Sequence, residues 1–272
     1  MSLSNRLRGL CPPLLLRHLR RISPGTIRYA GPYPSWQSAA DDAIGYDDLG
    51  IVDRVAHATR EVVAGRAAFE RDSVLLDECQ PPFHLVAPML RVAMERGGRL
   101  SVLDYGGSLG STYRWCRPHI GEIPLQWNVV EQRQFVAVGK SEFETEELRF
   151  YNSTAEIRGG IDAVLFSSVL QYLEDPCQAI RSADFDGVEV LILDRTPFCG
   201  GAVDHVCVQH VPTKIYRASY PLWIFSYAKM LERLSPRWRL VGEFVCPEDV
   251  AITSGGMSFE FKGLILRKKH VD

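Results

Sequence analysis

The sequence lacks several features that would assign it to a specialised class of protein. No apolar run approaches the ~20 residues that a membrane-spanning helix needs. The net charge is only -2, from 31 basic and 33 acidic residues, which argues against a general nucleic-acid binder. None of the seven cysteines forms a C-x-x-C pair, and this usage favours reduced thiols in a cytoplasmic protein over a disulfide framework. The composition is otherwise that of a globular protein with a large core.

Acidic residues are missing from the first 40 positions, which carry six arginines. These arginines are interspersed with leucines and interrupted by Pro12 and Pro13, a pattern that predicts one or two short basic amphipathic helices. Such helices either pack against the rest of the protein or make a weak peripheral contact with a membrane. Together with Arg17, the two prolines leave too short an apolar stretch for a secretory signal.

Beyond this segment, the spacing of the apolar residues is that of further helices. It predicts helices over 48–69, about 73–79 and 83–94, the last one ending at Gly97 and Gly98. We therefore expect residues 1–80 to form an N-terminal helical extension and residues 81–272 to form the main domain. A chain of 272 residues does not require a second large core.

Seven short apolar runs after Gly98 predict the strands of one sheet. The first begins at Leu100, and the other six cover residues 125–130, 148–151, 161–166, 188–193, 239–245 and 259–266. Helical stretches alternate with the strands, which indicates an α/β protein with a mostly parallel sheet covered on both faces. The last two strands lie too close together for a crossover helix, so the final strand is expected to be antiparallel.

A glycine-rich turn follows the first strand in the segment D-Y-G-G-S-L-G, which starts at Asp104. A strand, a glycine turn and a helix beginning near Thr112 form the first half of a nucleotide-binding βα unit. A dinucleotide site would show G-x-G-x-x-G, so that a pyrophosphate lies on the helix N-terminus. Here a carboxylate stands two residues before the first glycine, where it suits an ammonium or a sulfonium better than a phosphate.

This segment resembles motif I of the class I S-adenosylmethionine-dependent methyltransferases, with Ser108 in place of the usual middle glycine. The resemblance implies that S-adenosylmethionine (SAM) is the cofactor and that Asp104 lies near its methionine amino group. It also implies a Rossmann-like sheet of seven strands with one strand reversed. The turn residues that would bind the cofactor are Tyr105, Gly106, Gly107, Ser108 and Gly110.

A second acidic position supports the same interpretation. Glu131 follows the strand over 125–130 and lies 21 residues after Gly110, where nucleotide-binding α/β folds place the carboxylate that binds ribose hydroxyls. Gln132, the next residue, is a further candidate for cofactor binding. The third strand leads to Ser153 and Thr154, where many methyltransferases of this class carry an Asp against the adenine amino group. Because that acid is missing, a hydroxyl or a backbone group must take its place.

The segment I-D-A-V-L-F-S-S-V-L-Q-Y-L-E-D-P, residues 161–176, resembles motif IV of the same superfamily. Ser168 is among the residues after its strand, which in that superfamily line the cofactor and face the acceptor. Asp175 and Pro176 are typical of the N-cap and the first position of the next helix.

The fifth strand ends near Asp194, and residues 198–221 show no clear periodic pattern before a helix predicted over 223–234. A loop of this length in a compact domain is usually a functional lid or disordered, and its aromatic content favours a lid. Polar residues at the strand end and in this loop are candidates for the acceptor site. The predicted acceptor-binding residues are Arg195, Gln209, Tyr216 and Tyr220, and the predicted general-base candidates are His205, His210 and Asp194.

The segment V-Q-H-V-P-T-K-I-Y-R-A-S-Y-P-L-W-I-F-S, residues 208–226, together with D-R-T-P-F and G-P-Y-P-S-W, resembles a family of bacterial methyltransferases associated with surface-polysaccharide biosynthesis. We therefore expect a SAM-dependent methyltransferase that O-methylates a sugar or another small polar acceptor. One alternative is a non-catalytic cofactor-binding module of the same fold. The other is an NAD-dependent oxidoreductase, disfavoured by the glycine spacing and by the lack of an obvious Tyr-x-x-x-Lys pair. Asp204, His205 and His210 lack a familiar metal-ligand spacing, so no metal is expected.

Overall fold

The structure is a computed structural model that describes residues 27–45, 48–71, 73–212, 218–246 and 251–270. The basic helices predicted in the first 26 residues and the candidate Tyr216 lie outside these described residues. Among the helices in these ranges, none combines the length and the apolar character needed to cross a bilayer.

The described chain before residue 81 contains both helices and strands. Its helices are α1 (Trp36–Asp42) and α2 (Asp48–Val63), and its strands are β1 (Arg28–Tyr33), β2 (Phe69–Arg71) and β3 (Val74–Leu76). The predicted helix over 73–79 is wrong, because β2 and β3 form an antiparallel hairpin there. Val74 to Leu76 is a continuous apolar run, which periodicity alone cannot distinguish from a helical turn. The extension over 1–80 is therefore not purely helical.

Helix α3 (Phe83–Glu95) leads into the central sheet, which contains the seven strands predicted from the sequence. They are β4 (Leu100–Tyr105), β5 (Leu125–Val130), β6 (Leu148–Tyr151), β7 (Ala163–Ser167), β8 (Val190–Cys199), β11 (Trp238–Val245) and β13 (Ser258–Lys268). Their order across the sheet is β6-β5-β4-β7-β8-β13-β11, and β13 is antiparallel to both neighbours. The pairs from β6 to β8 are all parallel. This confirms the Rossmann-like, mostly parallel α/β sheet with a reversed last strand.

Helices cover both faces of this sheet because its central strands are apolar on both sides. Besides α3, they are α4 (Ser111–Cys116), α5 (Arg133–Val138), α6 (Pro176–Ser182) and α7 (Tyr227–Leu234). One buried cluster packs Leu85 and Met89 of α3 against Val102 of β4. The next residue along β4, Leu103, points to the opposite face, where it belongs to a second cluster that includes Met230 of α7.

The described residues between 198 and 221 do not form the predicted lid loop. Instead, β8 continues to Cys199, and the chain then forms β9 (His205–His210) and β10 (Ser219–Ser226), which pair antiparallel. β10 joins the end of β8 in parallel, and β1 pairs with β9 on its other side, so these strands continue the sheet beyond β8. A short strand, β12 (Ala251–Ile252), pairs with β13. The helix predicted over 223–234 begins only at Tyr227.

A proline explains why β10 is hard to recognise from sequence. Pro221 lies inside β10, and proline within an apolar run argues against a central strand. β10 pairs with β8 only at Phe225 and Ser226, so at Pro221 the strand has its ladder partner on one side alone. The missing N–H is tolerated at such an edge position.

Candidate functional site

The glycine turn connects β4 to α4 at the carboxyl edge of the sheet. Gly106 and Ser108 have positive φ angles of 73° and 54°, and Gly110 is the N-cap of α4. A Cβ atom on Gly106 would lie 2.3 Å from Cγ2 of Val169, so this position requires glycine. Ser108 adopts the left-handed conformation that suits the glycine it replaces in the resembled motif. The turn therefore runs with its backbone close against the segment that follows β7.

Asp104 lies directly beneath this turn. A Cβ atom on Gly107 would lie 2.5 Å from Oδ2 of Asp104, so the turn backbone rests on the carboxylate. The side chain is fully buried, and its Oδ2 accepts a hydrogen bond from Nε1 of Trp127 at 3.0 Å. Oδ1 has no hydrogen-bond partner among the described residues. Burial raises the pKa of Asp104 to about 7, and the Trp127 hydrogen bond opposes that rise only in part.

Glu131 faces the same turn from the end of β5. Its Oε2 accepts a hydrogen bond from the Gln132 backbone N–H at 2.5 Å. Burial raises the pKa of Glu131, while the backbone N–H groups of Gln132 and Ser108 act in the opposite direction. The Glu131 N–H donates to the carbonyl of Tyr151 at 3.1 Å, which fixes the residue at the strand end. The structure thus brings this carboxylate and the glycine turn together.

The remaining cofactor candidates lie around the same edge of the sheet. Tyr105 is half-buried, and its ring stacks on Phe166 with 5.1 Å between the ring centroids. Ser153 is exposed and precedes the 3₁₀ turn Thr154–Glu156, directly after β6. Gln132 is exposed at the start of α5. Ligands of open α/β sheets bind beyond the carboxyl ends of the strands, which is where these residues lie.

One residue just after β7 and one residue within the neighbouring strand β8 have an uncommon backbone conformation. Ser168 after β7 and Arg195 in β8 have positive φ angles of 56° and 49°, which are rare outside glycine. The side-chain amide of Gln171 donates to Oγ of Ser168 at 3.1 Å and to the carbonyl oxygen of Arg195 at 3.3 Å. Gln171 is fully buried, and within the described ranges its Oε1 has no hydrogen-bond partner. Sequence reasoning missed this residue because its role depends on contacts between two strand ends.

The end of the segment that resembles motif IV forms as predicted. Asp175 caps α6 by accepting a hydrogen bond from the Gln178 backbone N–H at 2.8 Å, and Pro176 is the first residue of the helix. The Ser168 N–H donates to the carbonyl of Asp194 at 2.9 Å, which ties the exit of β7 to β8.

Asp194 is almost completely buried beside the exit of β7, with 2% of its surface exposed. Its Oδ2 accepts a hydrogen bond from the Ser167 hydroxyl at 2.6 Å and lies 3.5 Å from Nε of Arg195. Its Oδ1 lies 3.9 Å from Sγ of Cys246. These contacts place the carboxylate to hold Arg195 and Ser167, and they leave it little access to a ligand.

Three polar side chains from different elements form a second cluster. The side-chain amide of Gln209 donates to the Tyr220 hydroxyl at 3.2 Å and accepts from the Tyr172 hydroxyl at 3.1 Å. The rings of Tyr172 and Tyr220 meet edge to face at 5.1 Å. Gln209 and Tyr220 were predicted, whereas Tyr172 was missed because its partners lie on the unrecognised strands β9 and β10. Tyr172 follows Gln171 directly, so this cluster adjoins the strand ends held by that glutamine.

The two candidate histidines of β9 lie on opposite faces of the strand. Side chains alternate along a strand, so His205 shares a face with Gln209, whereas His210 shares the other face with Val208. Val208 packs against Ala39 of α1 on that second face. The structure therefore separates the two imidazoles. Within the described parts of the chain, no group of three His, Cys, Asp or Glu side chains is placed to hold a metal ion.

A histidine outside the predicted set, His84, lies within reach of the charge of Asp194. His84 is the second residue of α3, and a helix that leads by a short turn into β4 begins at the carboxyl edge of the sheet. Its half-buried ring contacts Phe244 and Trp115, with 4.5 Å and 5.8 Å between ring centroids. Burial lowers the pKa of His84, and the carboxylate of Asp194 acts against that shift. Only the position of α3 before the first strand could have indicated this residue from sequence.

Comparisons with known proteins give structural similarity at low sequence identity. No family model matches the chain, and no curated protein matches it. The N-terminal domain of EvdMO1, crystallised in the presence of S-adenosylhomocysteine (SAH) and D-fucose, has a TM-score of 0.47 and 14% identity, covering 77% of this chain and 97% of that one. The 1,6-didemethyltoxoflavin-N1-methyltransferase of Burkholderia thailandensis, with its namesake ligand and SAH bound, has a TM-score of 0.42 and 14% identity, covering 88% and 93%.

The N-methyltransferase NodS of Bradyrhizobium japonicum WM9, in complex with SAH, has a TM-score of 0.39 and 12% identity, covering 70% of this chain and 90% of that one. At these identities and TM-scores, the role of a residue in one of these proteins cannot be assigned to a residue of this chain. The assignment of a function therefore depends on the geometry of the site itself.

Proposed function

We propose that this protein binds SAM and transfers its methyl group to a small polar acceptor. The observation that carries the proposal is the arrangement of two carboxylates at the glycine turn, with Asp104 beneath Gly107 and Glu131 directly after Val130, whose carbonyl accepts a hydrogen bond from the Gly106 N–H at 2.8 Å. In its ionised form, the Asp104 carboxylate beneath the turn favours a cationic group there and disfavours a pyrophosphate. Asp104 and the glycine spacing, rather than Glu131, therefore separate the proposal from an NAD-dependent oxidoreductase.

The residues in and around the glycine turn would each bind a different part of SAM. Glu131 would accept hydrogen bonds from the ribose hydroxyls, and the negative charge of Asp104 would favour the ammonium of the methionine part. Solvent does not reach Asp104, so it would act through the turn that covers it rather than by open contact. Ser153 and Thr154 would offer hydroxyl and backbone groups to the adenine. When bound, SAM supplies an activated methyl group on a sulfonium.

We infer that the acceptor is a hydroxyl of a sugar or of a sugar-linked intermediate, in the metabolism of surface polysaccharides. The resemblance of residues 208–226, with the segments D-R-T-P-F and G-P-Y-P-S-W, to that family supports this choice. The cluster of Tyr172, Gln209 and Tyr220 adjoins the cofactor turn through the segment after β7, and aromatic rings with amide groups suit a polar ring that has one apolar face. Arg195 lies between this cluster and Asp194. Tyr216 remains a candidate from sequence.

Methyl-³H SAM incubated with a panel of free sugars and nucleotide sugars tests this proposal. Transfer of label to a sugar, with SAH formed in equal amount, is the expected result. Glu131→Gln should reduce the rate at low SAM concentration more than at saturation, because it weakens cofactor binding. Binding of SAH without transfer to any member of the panel would make the non-catalytic module of this fold the better account.

A further inference from the structure

Three observations place His84 at the same edge of the sheet as the glycine turn. Its helix begins at the carboxyl edge of the sheet, where β4 delivers the glycine turn. Its ring lies against Trp115 of α4, the helix that starts from this turn. It also lies close enough to Asp194 and Arg195 on β8 for their charges to act on it. His84 therefore lies towards the carboxyl ends of the strands, on the face of the sheet that α3 covers.

The surroundings of His84 combine two apolar walls with charges of both signs. Phe244 of β11 and Trp115 of α4 form the walls, with ring centroids 4.5 Å and 5.8 Å from that of His84. The charged groups that act on it are Asp194, Arg195 and Arg71, from β8 and β2. The walls favour a neutral imidazole, and Asp194 is the group that favours a protonated one.

We propose that His84 is the proton acceptor for the hydroxyl that receives the methyl group. This inference rests on the proposed function and adds to it the residue that removes the proton. His205, His210 and Asp194 were the candidates from sequence. Asp194 is buried against Ser167 and Arg195, and His210 faces α1. His205 lies on β9, which pairs with β10 rather than with the strands that hold the glycine turn.

The proton and electron balance of the reaction agrees with this role. A lone pair of the acceptor oxygen forms the new C–O bond, and the electron pair of the C–S bond stays on sulfur, which becomes a neutral thioether. The O–H proton passes to the neutral imidazole of His84. The positive charge of the sulfonium is lost as an imidazolium forms, and the Asp194 carboxylate stabilises that new charge. Burial lowers the pKa of His84, so the imidazole is neutral and able to accept a proton near neutral pH.

NMR titration of the histidine ring C–H signals in the full chain tests the proposal without an acceptor. SAM and SAH differ by the methyl group and its positive charge, so a nearby imidazole should have a lower pKa in the SAM complex. A separation of about 6 Å predicts a decrease of about 0.5 to 2 units, for effective dielectric constants of about 80 to 20. His84→Gln identifies the signal, and the exposed His57 of α2 serves as the internal control that should not shift.

Asp194→Asn gives a second measurement on the same signal. Removing the carboxylate that favours the protonated form should lower the pKa of His84 further in the SAH complex. Equal His84 pKa values in the SAM and SAH complexes, within about 0.1 unit, would overturn the assignment of His84 and leave the proposed function standing. Failure of both compounds to bind would overturn the proposed function and this inference with it. The wild-type comparison decides the question even if the Asp194 variant does not fold.

Discussion

Gly107 and Asp104 are in such close contact that a single methyl group on the glycine would lie 2.5 Å from a carboxylate oxygen. The contact fixes the glycine turn above a buried carboxylate. Because any side chain at Gly107 would push the turn away from β4, this position couples the backbone shape of the turn to the carboxylate that lies beneath it.

Gly107→Ala should therefore disturb both folding and binding. Overpacking of this kind costs about 1 to 3 kcal/mol, so urea unfolding should show a loss of that order together with weakened SAH binding. Gly160→Ala is the matched control, since a Cβ there would meet no atom within 4 Å. Equal stability and equal SAH affinity of both variants would show that Gly107 does not need to be glycine.

Glu131→Gln should weaken SAH binding by about 5- to 150-fold, which corresponds to about 1 to 3 kcal/mol for lost charge-assisted hydrogen bonds. Stability should change less than affinity, because the substitution keeps the shape of the side chain. Glu146→Gln is the control, as Glu146 is exposed and outside the turn. Calorimetric titration of the two variants with SAH gives the comparison, and equal affinities would remove Glu131 from the site.

Because Asp104 titrates with a raised pKa, its contribution to the free energy of unfolding should fall as the pH rises. Its pKa is about 7 in the folded chain and about 3.9 in an unfolded chain, so between these values the folded state holds a proton that the unfolded state has lost. The stability that this group contributes is present below about pH 4 and is lost as the pH rises to about 7, with roughly 4 kcal/mol as an upper limit.

Asp104→Asn should lack this decline. Urea unfolding of the wild-type protein and of Asp104→Asn between about pH 4 and pH 8 checks this prediction. The other titrating groups contribute equally to both proteins, so they cancel when one free energy of unfolding is subtracted from the other. If the free energies of unfolding of the two proteins differ by the same amount at every pH in this range, the pKa of Asp104 is not raised.

The central sheet and the glycine turn could be predicted from the sequence alone. Each strand of the central sheet is an apolar run bounded by turn residues, and Asp104, the turn and Glu131 follow one another along two adjacent strands. The positions of these strands and of the turn can be recognised from residues that are close together in the sequence. The hydrogen bond from the Gly106 N–H to the Val130 carbonyl, at 2.8 Å, shows that the turn and the end of β5 meet.

The missed features depend on contacts between distant segments. β9 and β10 are strands because they pair with each other, and Pro221 hides the second one. Gln171 is informative only because it bridges Ser168 and Arg195, and both partners take positive φ angles. His84 precedes the first predicted motif, and it becomes a candidate only when α3 is placed beside β8. No periodicity or spacing encodes these relationships.

The basic segment at the start of the chain gives a separate prediction. If its arginines touch anionic lipid, the chain should sediment with phosphatidylserine vesicles at low salt and lose this binding as salt rises. Deleting residues 1–26, which leaves β1 intact, should abolish the effect, and vesicles of neutral lipid are the control. Sedimentation that the deletion leaves unchanged would place the contact elsewhere on the protein.

Calorimetric titration of the full chain with SAH, beside an identical titration with NAD, tests the central claim most directly. The Asp104 carboxylate beneath the glycine turn, and glycines that do not follow G-x-G-x-x-G, predict a saturable heat of binding for SAH and none for NAD, because a pyrophosphate on this turn would lie over a carboxylate. Saturable binding of NAD together with no response to SAH would contradict the account.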